Sequence, residues 1–475
     1  MKTRFSVSVS LNYLKKLLKN GVDKIHNTTL LNKLYFKKPN EFPWDFYKLR
    51  KLIKERIPIG IYAWYHEETS SAGNSTEQSI QAFDNYYCKP HYLNTNKSFS
   101  EHLTLTLHSE ELGKTEFQVS NCFFTVPYGC ASVYGGKSDE YACLEGTLKG
   151  NGIYTIPGLS TYPIEKYQSK LKKVKFFMFQ MYMTTDNDIN ISIIERAKQM
   201  GASVIILTAD NPITHQSYGI MENGADMTFQ KEAFQNILHD PVFNVKCYLK
   251  HHCVGTINSE YLESVAIYLK MSVKDLKNSY NCVKSVEYAR DIQLGGMARV
   301  NHCTNKSDKH YIYSVEHIAK ICHQKRTSGT YFKYQFSKGV PLILKGCITS
   351  EEAVEVQKLG ADGIYVSVHG GRFLYNAKPP IDVVATIRKN VKSVNKHFAV
   401  WFDGGIRNGQ SILTAFANGA EFVGIGRPII YSCVLYGSRG VENIYKQYLY
   451  ELTEISKLCG IQNLNERKKL EKLLF

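Results

Sequence analysis

From residue 123 onward the chain repeats one pattern eight times: a short apolar run rich in β-branched and aromatic residues, then a stretch of helical periodicity. The runs are FFTVP (123–127), GIYTIPG (152–158), KFFMFQMY (175–182), SVIILTAD (203–210), PLILKG (341–346), GIYVSVHG (363–370), FAVWFDGG (398–405) and FVGIGRP (422–428). Near-continuous apolar character marks strands buried on both faces, as in a parallel sheet covered by helices. Between them, segments such as SEEAVEVQKLG and NGQSILTAFANGA carry helical spacing and end near a Gly. Eight βα units predict a closed α/β (β/α)8, or TIM, barrel. An open doubly wound sheet is the rival, but polar residues gather at the C-terminal ends of the late runs, where a barrel collects its active site.

About 130 residues separate the fourth and fifth runs, far more than an ordinary connection. Part must be the fourth barrel helix, and the rest, about 215–335, reads as an insertion or active-site lid. Residues 41–122 read as a helical lead-in, FYKLRKLIKERIPIGIYAWYHEE, followed by a mixed stretch suited to closing the barrel bottom. The domain reading is thus a basic extension over 1–45, a barrel over 46–465 and a C-terminal tail over 466–475.

The formal charge is +16, and about half of it comes from residues 1–40, where nine Lys or Arg face one acid, Asp23. No helix-turn-helix, zinc-finger or aromatic RNA-binding signature accompanies the charge, so nucleic acid is not expected as a partner. The first twenty residues have no acid, several Ser and regular Lys, which fits either an amphipathic mitochondrial presequence or a basic tail. The expected location is intracellular, mitochondrial or cytoplasmic. No apolar run reaches the roughly 18 residues that would cross a bilayer. The twelve cysteines include no C-x-x-C pair and read as reduced, mostly buried thiols. Cys247, His251, His252 and Cys253 lack a second well-spaced ligand pair, and no metal is expected there.

The strongest chemical signal ends the sixth run: Ser367, Val368, His369, Gly370, Gly371, Arg372. An imidazole able to take a proton near neutral pH stands three residues from a guanidinium able to grip a carboxylate through two parallel hydrogen bonds. Asp210, ending the fourth run, can orient that imidazole and stabilise its protonated form; the alternative is a turn former before Asn211 and Pro212. Gln180 and Tyr182 share one face of the third run by alternation. Lys345, after a buried apolar run, needs either an ion-pair partner or an electron-rich cofactor. DGGIRNG (403–409) and GIGRP (424–428) end the seventh and eighth runs, where barrels bind phosphate through backbone N–H groups.

Together these motifs resemble the FMN-dependent 2-hydroxy acid oxidase and dehydrogenase family, which includes glycolate oxidase, lactate oxidase and the flavin domain of lactate cytochrome c oxidoreductases. The likeness spans about residues 46–465, and PLILKG, HGGR, DGGIRNG and GIGRP carry it in order. The resemblance implies that His369 is the base, Asp210 stabilises its imidazolium, Arg372 binds the substrate carboxylate and Tyr182 hydrogen-bonds the substrate. It further implies that Lys345 lies beside the flavin N1 and O2 edge, that Gln180, Thr208 and Ser367 bind the isoalloxazine and ribityl groups, and that Asp403, Gly404, Gly405, Arg407, Gly426 and Arg427 hold the ribityl and phosphate end.

Four departures stand out. Ser217 occupies the place of the family's second substrate Arg, Trp64 that of a substrate-facing Tyr, Pro157 and Gly158 those of a Ser pair, and Val368 that of an Asn. The His369, Asp210, Arg372 and Lys345 set is complete, so the expected activity is FMN-dependent oxidation of a small L-2-hydroxy acid to the 2-oxo acid, with dioxygen or another acceptor taking the electrons. Two rivals differ in class: a flavin-binding barrel kept as a scaffold, and another FMN-barrel reaction such as prenyl diphosphate isomerisation, against which the HGGR loop argues. Family members are often tetramers, so a homo-oligomer is expected by analogy.

Overall fold

Two antiparallel strands precede a ring of eight parallel ones. The computed structural model describes residues 42–66, 74–92, 98–109, 112–131, 139–211, 218–223, 231–300, 315–324, 338–374 and 376–475. β1 (Leu103–Ser109) and β2 (Gly113–Val119) form the hairpin. The ring contains β3 (Phe123–Thr125), β4 (Ile153–Ile156), β5 (Met178–Met181), β6 (Val204–Thr208), β7 (Leu342–Cys347), β8 (Gly363–Val366), β9 (Ala399–Phe402) and β10 (Phe422–Ile425). It closes where β10 pairs with β3, Val423 opposite Phe123. All eight apolar runs supply a strand, and the barrel expectation holds.

Most of the ladders are shorter than the runs that predict them: residues 175–182 give only Met178–Met181, with Phe176 and Phe177 buried just ahead of the strand. Large rings fill the interior. Phe124 packs against Tyr365, Trp401 and Phe422 at centroid separations of 5.5, 5.9 and 4.5 Å. Each such ring, fully buried, contributes on the order of 2–3 kcal/mol.

Helix boundaries follow local chemistry. Thr349 caps the helix Ser350–Lys358 by accepting from Glu352 N, and Asn408 and Ser411 form a reciprocal capping box at Gly409–Ala417. The long helix Arg427–Leu458 bends at Gly437, which has φ +63°. In the lead-in, Phe46 on the helix Phe46–Arg56 stacks on Tyr431 of that long helix at 5.5 Å.

At the N-terminal end of the barrel, Leu103, Leu105 and Leu107 of β1 are buried by strict alternation, Phe117 of β2 packs on Phe176, and His108 of β1 stacks on His397 just before β9. The hairpin therefore lies across the end opposite the strand C-termini. Residues 466–475, read from sequence as a tail, are held to the body: Leu470 and Leu473 are buried, and Phe475 N donates to Tyr87 O.

The insertion after β6 is largely helical where described, with Pro241–His251, Leu262–Tyr268, Val273–Asn278 and Cys282–Val300. Val245, Val254, Val265, Ala266 and Leu276 give it a small apolar cluster of its own. Buried Arg196 ties it to the barrel by donating to Glu165 at 2.6 Å and Asp240 at 3.0 Å. Val315–His323 then packs beside the helix Asn187–Gln199 and leads back to β7. The basic segment over 1–41 and Ser217 lie outside the described residues, as do parts of the insertion. Among the described residues no helix is long and apolar enough to cross a membrane.

Candidate active site

The strand ends converge on one cleft of about 1190 Å³, counting its open mouth. Trp64, Gln180, Tyr182, Thr208, Lys345, His369, Arg372, Asp403, Gly404, Gly405, Arg407, Gly426 and Arg427 all line it. Asp210 stands directly behind His369. Ser367, like Asp210, is not part of the cleft wall: it is buried, and its Oγ accepts from His369 N at 3.1 Å. It shapes the turn that presents the imidazole rather than facing the cavity.

The turn itself is unusual. His369 has φ +52° and Gly370 φ +66°, both left-handed, so the chain reverses sharply after β8 and swings the imidazole over the barrel mouth. His369 Nδ1 donates to Asp210 Oδ1 at 2.7 Å, which fixes the tautomer and leaves Nε2 with the lone pair. Lys345 Nζ donates to Asp210 Oδ2 at 3.0 Å and lies 3.2 Å from His369 Nδ1. Because Nδ1 already gives its proton to Asp210, we assign the lysine to the carboxylate. Asp210 approaches this closely because residue 346 is Gly, with φ +113°; a Cβ there would collide with the Asp210 side chain.

Burial lowers the pKa of His369 below the usual imidazole value; Asp210 opposes this, while Lys345 and Arg372 add to it. The ring is therefore neutral at pH 7 and ready to accept a proton. Burial alone would raise the pKa of Asp210, but the charges of His369 and Lys345 win and hold it down at about 2. Tyr182 is pushed upward by burial and then by Asp210, so its hydroxyl is a donor throughout the physiological range.

Arg372 is held between rings: its guanidinium lies 5.3 Å from the Trp64 centroid and 6.0 Å from Phe373, and Phe373 packs edge-on against His369 at 4.7 Å. The resulting wall links the imidazole, the guanidinium and the indole in one packed unit.

At the opposite end of the cleft, Arg407 and Arg427 approach one another with no carboxylate bridging them among the described residues. Burial, then the neighbouring charge of Arg427, pushes Arg407 down to about 10, and its Nε is buried without a hydrogen-bond partner. Arg427 donates from Nη2 to Gly370 O at 2.7 Å. Asp403 accepts from the Tyr365 hydroxyl at Oδ2, 2.7 Å, while its Oδ1 is buried and unpartnered. Gly405 has φ +77°, and a Cβ there would strike the Ser79 carbonyl oxygen. Two neighbouring guanidiniums lining the cleft, one with a buried Nε that lacks a partner, beside a buried carboxylate oxygen in need of a donor, suit a ligand carrying both a phosphate and hydroxyl groups.

Residues 53–471 match the family described as FMN-dependent dehydrogenase. The chain belongs to that family. Among curated relatives, an L-lactate oxidase of Lentilactobacillus hilgardii is 28% identical over 431 residues, covering 90% of this chain and 93% of the relative. An L-lactate dehydrogenase of Actinobacillus pleuropneumoniae is 25% identical, covering 72% and 77%. The fold resembles a mandelate oxidase, with TM-score 0.61, 19% identity and coverage of 90% and 97%, and the flavin-binding domain of baker's yeast flavocytochrome b2, with TM-score 0.62, 18% identity and coverage of 95% and 93%. Family membership implies FMN as cofactor, and the unmet groups at the Arg407 end fit its phosphate and ribityl chain.

Several lining residues escaped sequence reading. Tyr65 donates to the carbonyls of Gly129 and Cys130 at 2.8 and 2.7 Å, and Tyr128, Cys130 and Leu159 extend an apolar wall from the ends of β3 and β4. The available signal was positional: PYGC follows its strand as HGGR follows β8.

Proposed function

We propose that this protein oxidises a small L-2-hydroxy acid to the corresponding 2-oxo acid using FMN, with dioxygen or another acceptor completing the cycle. The observation that carries this reading is the joint placement of a neutral imidazole, oriented by Asp210 at 2.7 Å, and the Arg372 guanidinium in one cleft.

Arg407 and Arg427, with the backbone of Gly404, Gly405 and Gly426, would hold the phosphate. Asp403 would accept from the ribityl hydroxyls, and Gln180, Thr208 and Lys345 would border the ring. Bound FMN would supply an acceptor for two electrons and one proton. Arg372 binds the substrate carboxylate, and its stacked position fixes the α-carbon near His369. Tyr182, protonated throughout, donates to a substrate oxygen. The substrate loses two electrons and two protons in becoming the 2-oxo acid; His369 Nε2 takes one of those protons, and Asp210 offsets the positive charge that the ring gains.

The test is anaerobic addition of a panel of 2-hydroxy acids to the purified yellow protein. The expected result is loss of visible flavin absorbance with at least one acid. A protein that retains flavin yet is bleached by none of them is a scaffold rather than an oxidase, and this reading is then wrong.

A further inference from the structure

The end of the barrel opposite the active site holds a second cavity, about 660 Å³, between the hairpin strand β1, the C-terminal end of the helix Pro380–Val394 and residues 465–467. Its charged lining is dominated by cations. Lys392, Lys396 and Arg467 supply the positive charge, the imidazole of His397 lies beside them, and Glu421 is the acid in the wall. Nothing in the proposed oxidation uses these groups.

Glu421 is overcommitted. Its Oε1 accepts from Lys392 at 2.8 Å and lies 3.8 Å from Arg388, while its Oε2 accepts from Val400 N at 3.1 Å. Arg388 reaches Glu471 only at 3.7 Å, and its Nε is buried without a partner. Arg467, with Nη1 on Ala420 O at 2.7 Å, forms no close ion pair among the described residues, and neither does Lys396 on the rim. Burial lowers the pKa of Lys392, with Glu421 opposing and Arg388 and Arg467 adding to the effect. His397, chiefly by desolvation and then by Lys396, His108, Lys392 and Lys114, is also lowered. Cations thus outnumber carboxylates in a half-enclosed space, an arrangement that raises the local concentration of anions.

We propose that this cavity is an anion-binding site, separate from the active centre, for a compact multivalent oxyanion carried on phosphate or carboxylate groups. The ligand would pair with Lys392 and Lys396, with Thr104 and Thr106 of β1 in the same wall. By touching β1, the Pro380–Val394 helix and the C-terminal segment at once, it would join three separate stretches of chain across the barrel floor. Lys392 is held in the cavity wall by its pairing with Glu421 at 2.8 Å.

Calorimetric titration of the FMN-loaded protein tests this, since the cofactor then occupies the Arg407 and Arg427 end. Inorganic phosphate and citrate are the probes, and no turnover is measured, so the outcome is independent of the proposed oxidation. The expected result is saturable one-to-one binding of at least one probe, weakened about tenfold by Lys392→Gln and by Lys396→Glu and retained by Lys392→Arg. Preference for phosphate marks a phosphorylated ligand and preference for citrate a polycarboxylate; either supports the site. Lys396 is exposed, so its variant tests the site without disturbing the fold. No saturable binding of either probe, or binding unchanged in Lys396→Glu and Lys392→Gln, overturns the proposal.

Discussion

The two ends of the active cleft differ in how closely they keep to their family's pattern. Where β7 to β10 end, Lys345, HGGR, DGGIRNG and GIGRP are all present, and the structure gathers them around one cavity. Where the lead-in helix and β4 contribute, Trp64 stands in place of Tyr and Pro157 and Gly158 in place of a Ser pair, and the wall is largely aromatic and apolar. A cofactor imposes fixed demands: a phosphate needs cations and free backbone N–H groups, and a ribityl chain needs an acceptor. A substrate side chain imposes demands that change with the substrate. The end that keeps the family's motifs therefore argues for retained flavin chemistry, and the altered end for a changed choice of acid.

The sharpest way to break this comparison is at His369, which belongs to the unchanged set. His369→Ala should slow anaerobic flavin reduction by about 10²–10⁴-fold while the protein still purifies yellow, because no phosphate or ribityl contact is touched. Normal turnover in that variant would remove the base from the scheme. Asp210→Asn is next, with a loss of roughly 10²-fold, and it carries a pH signature. The neutral imidazole is the active form, so kcat/KM rises with pH through the pKa of His369, which already lies below 6.5. Asp210 pulls that value upward; its removal should move the acid limb to lower pH even as the plateau drops. A limb that moves to higher pH would show that the carboxylate does not act on the imidazole.

Arg407→Ala probes the other end. One charge-assisted contact to phosphate in a buried setting is worth about 1.5–3 kcal/mol, so FMN affinity should fall by roughly 10- to 100-fold, with the rate of the fully loaded enzyme little changed. If the variant instead holds FMN normally and loses rate, the phosphate assignment of that end is mistaken.

Much of this was readable from the chain because the barrel couples strand and site. A run such as LILKG announces both a buried strand and the charged residue at its exit, and the order of eight runs fixes which exits are neighbours. Other features were not readable for identifiable reasons. Ser367 carries the right chemistry at a strand end, yet its Oγ accepts from the backbone of His369, two residues on, a local contact that spacing does not reveal. The tail over 466–475 is polar and Lys-rich in sequence, but Leu470 and Leu473 are buried and the backbone of residues 473 and 475 bonds to Lys89 and Tyr87, long-range contacts invisible to periodicity. The hairpin was missed in a stretch read only as mixed, although LTLTLHS alternates strictly and its inward Leu residues are the buried ones.

The smallest expected effect sharpens the comparison most, because it addresses the altered wall directly. Trp64 covers one face of Arg372 at 5.3 Å, and a partly exposed cation–π contact is worth about 0.5–1 kcal/mol. Trp64→Ala should therefore raise KM for the best acid by roughly two- to sixfold through a less fixed guanidinium, with kcat nearly constant. Trp64→Tyr retains a ring for the stack and restores a hydroxyl that can reach the substrate. If the indole was adopted for a larger or more apolar side chain, Tyr should improve KM for short acids such as lactate and worsen it for the preferred acid. Measured across the same panel, a uniform change in KM would mean that Trp64 only supports Arg372, whereas opposite changes for short and bulky acids would identify it as a residue that selects the substrate.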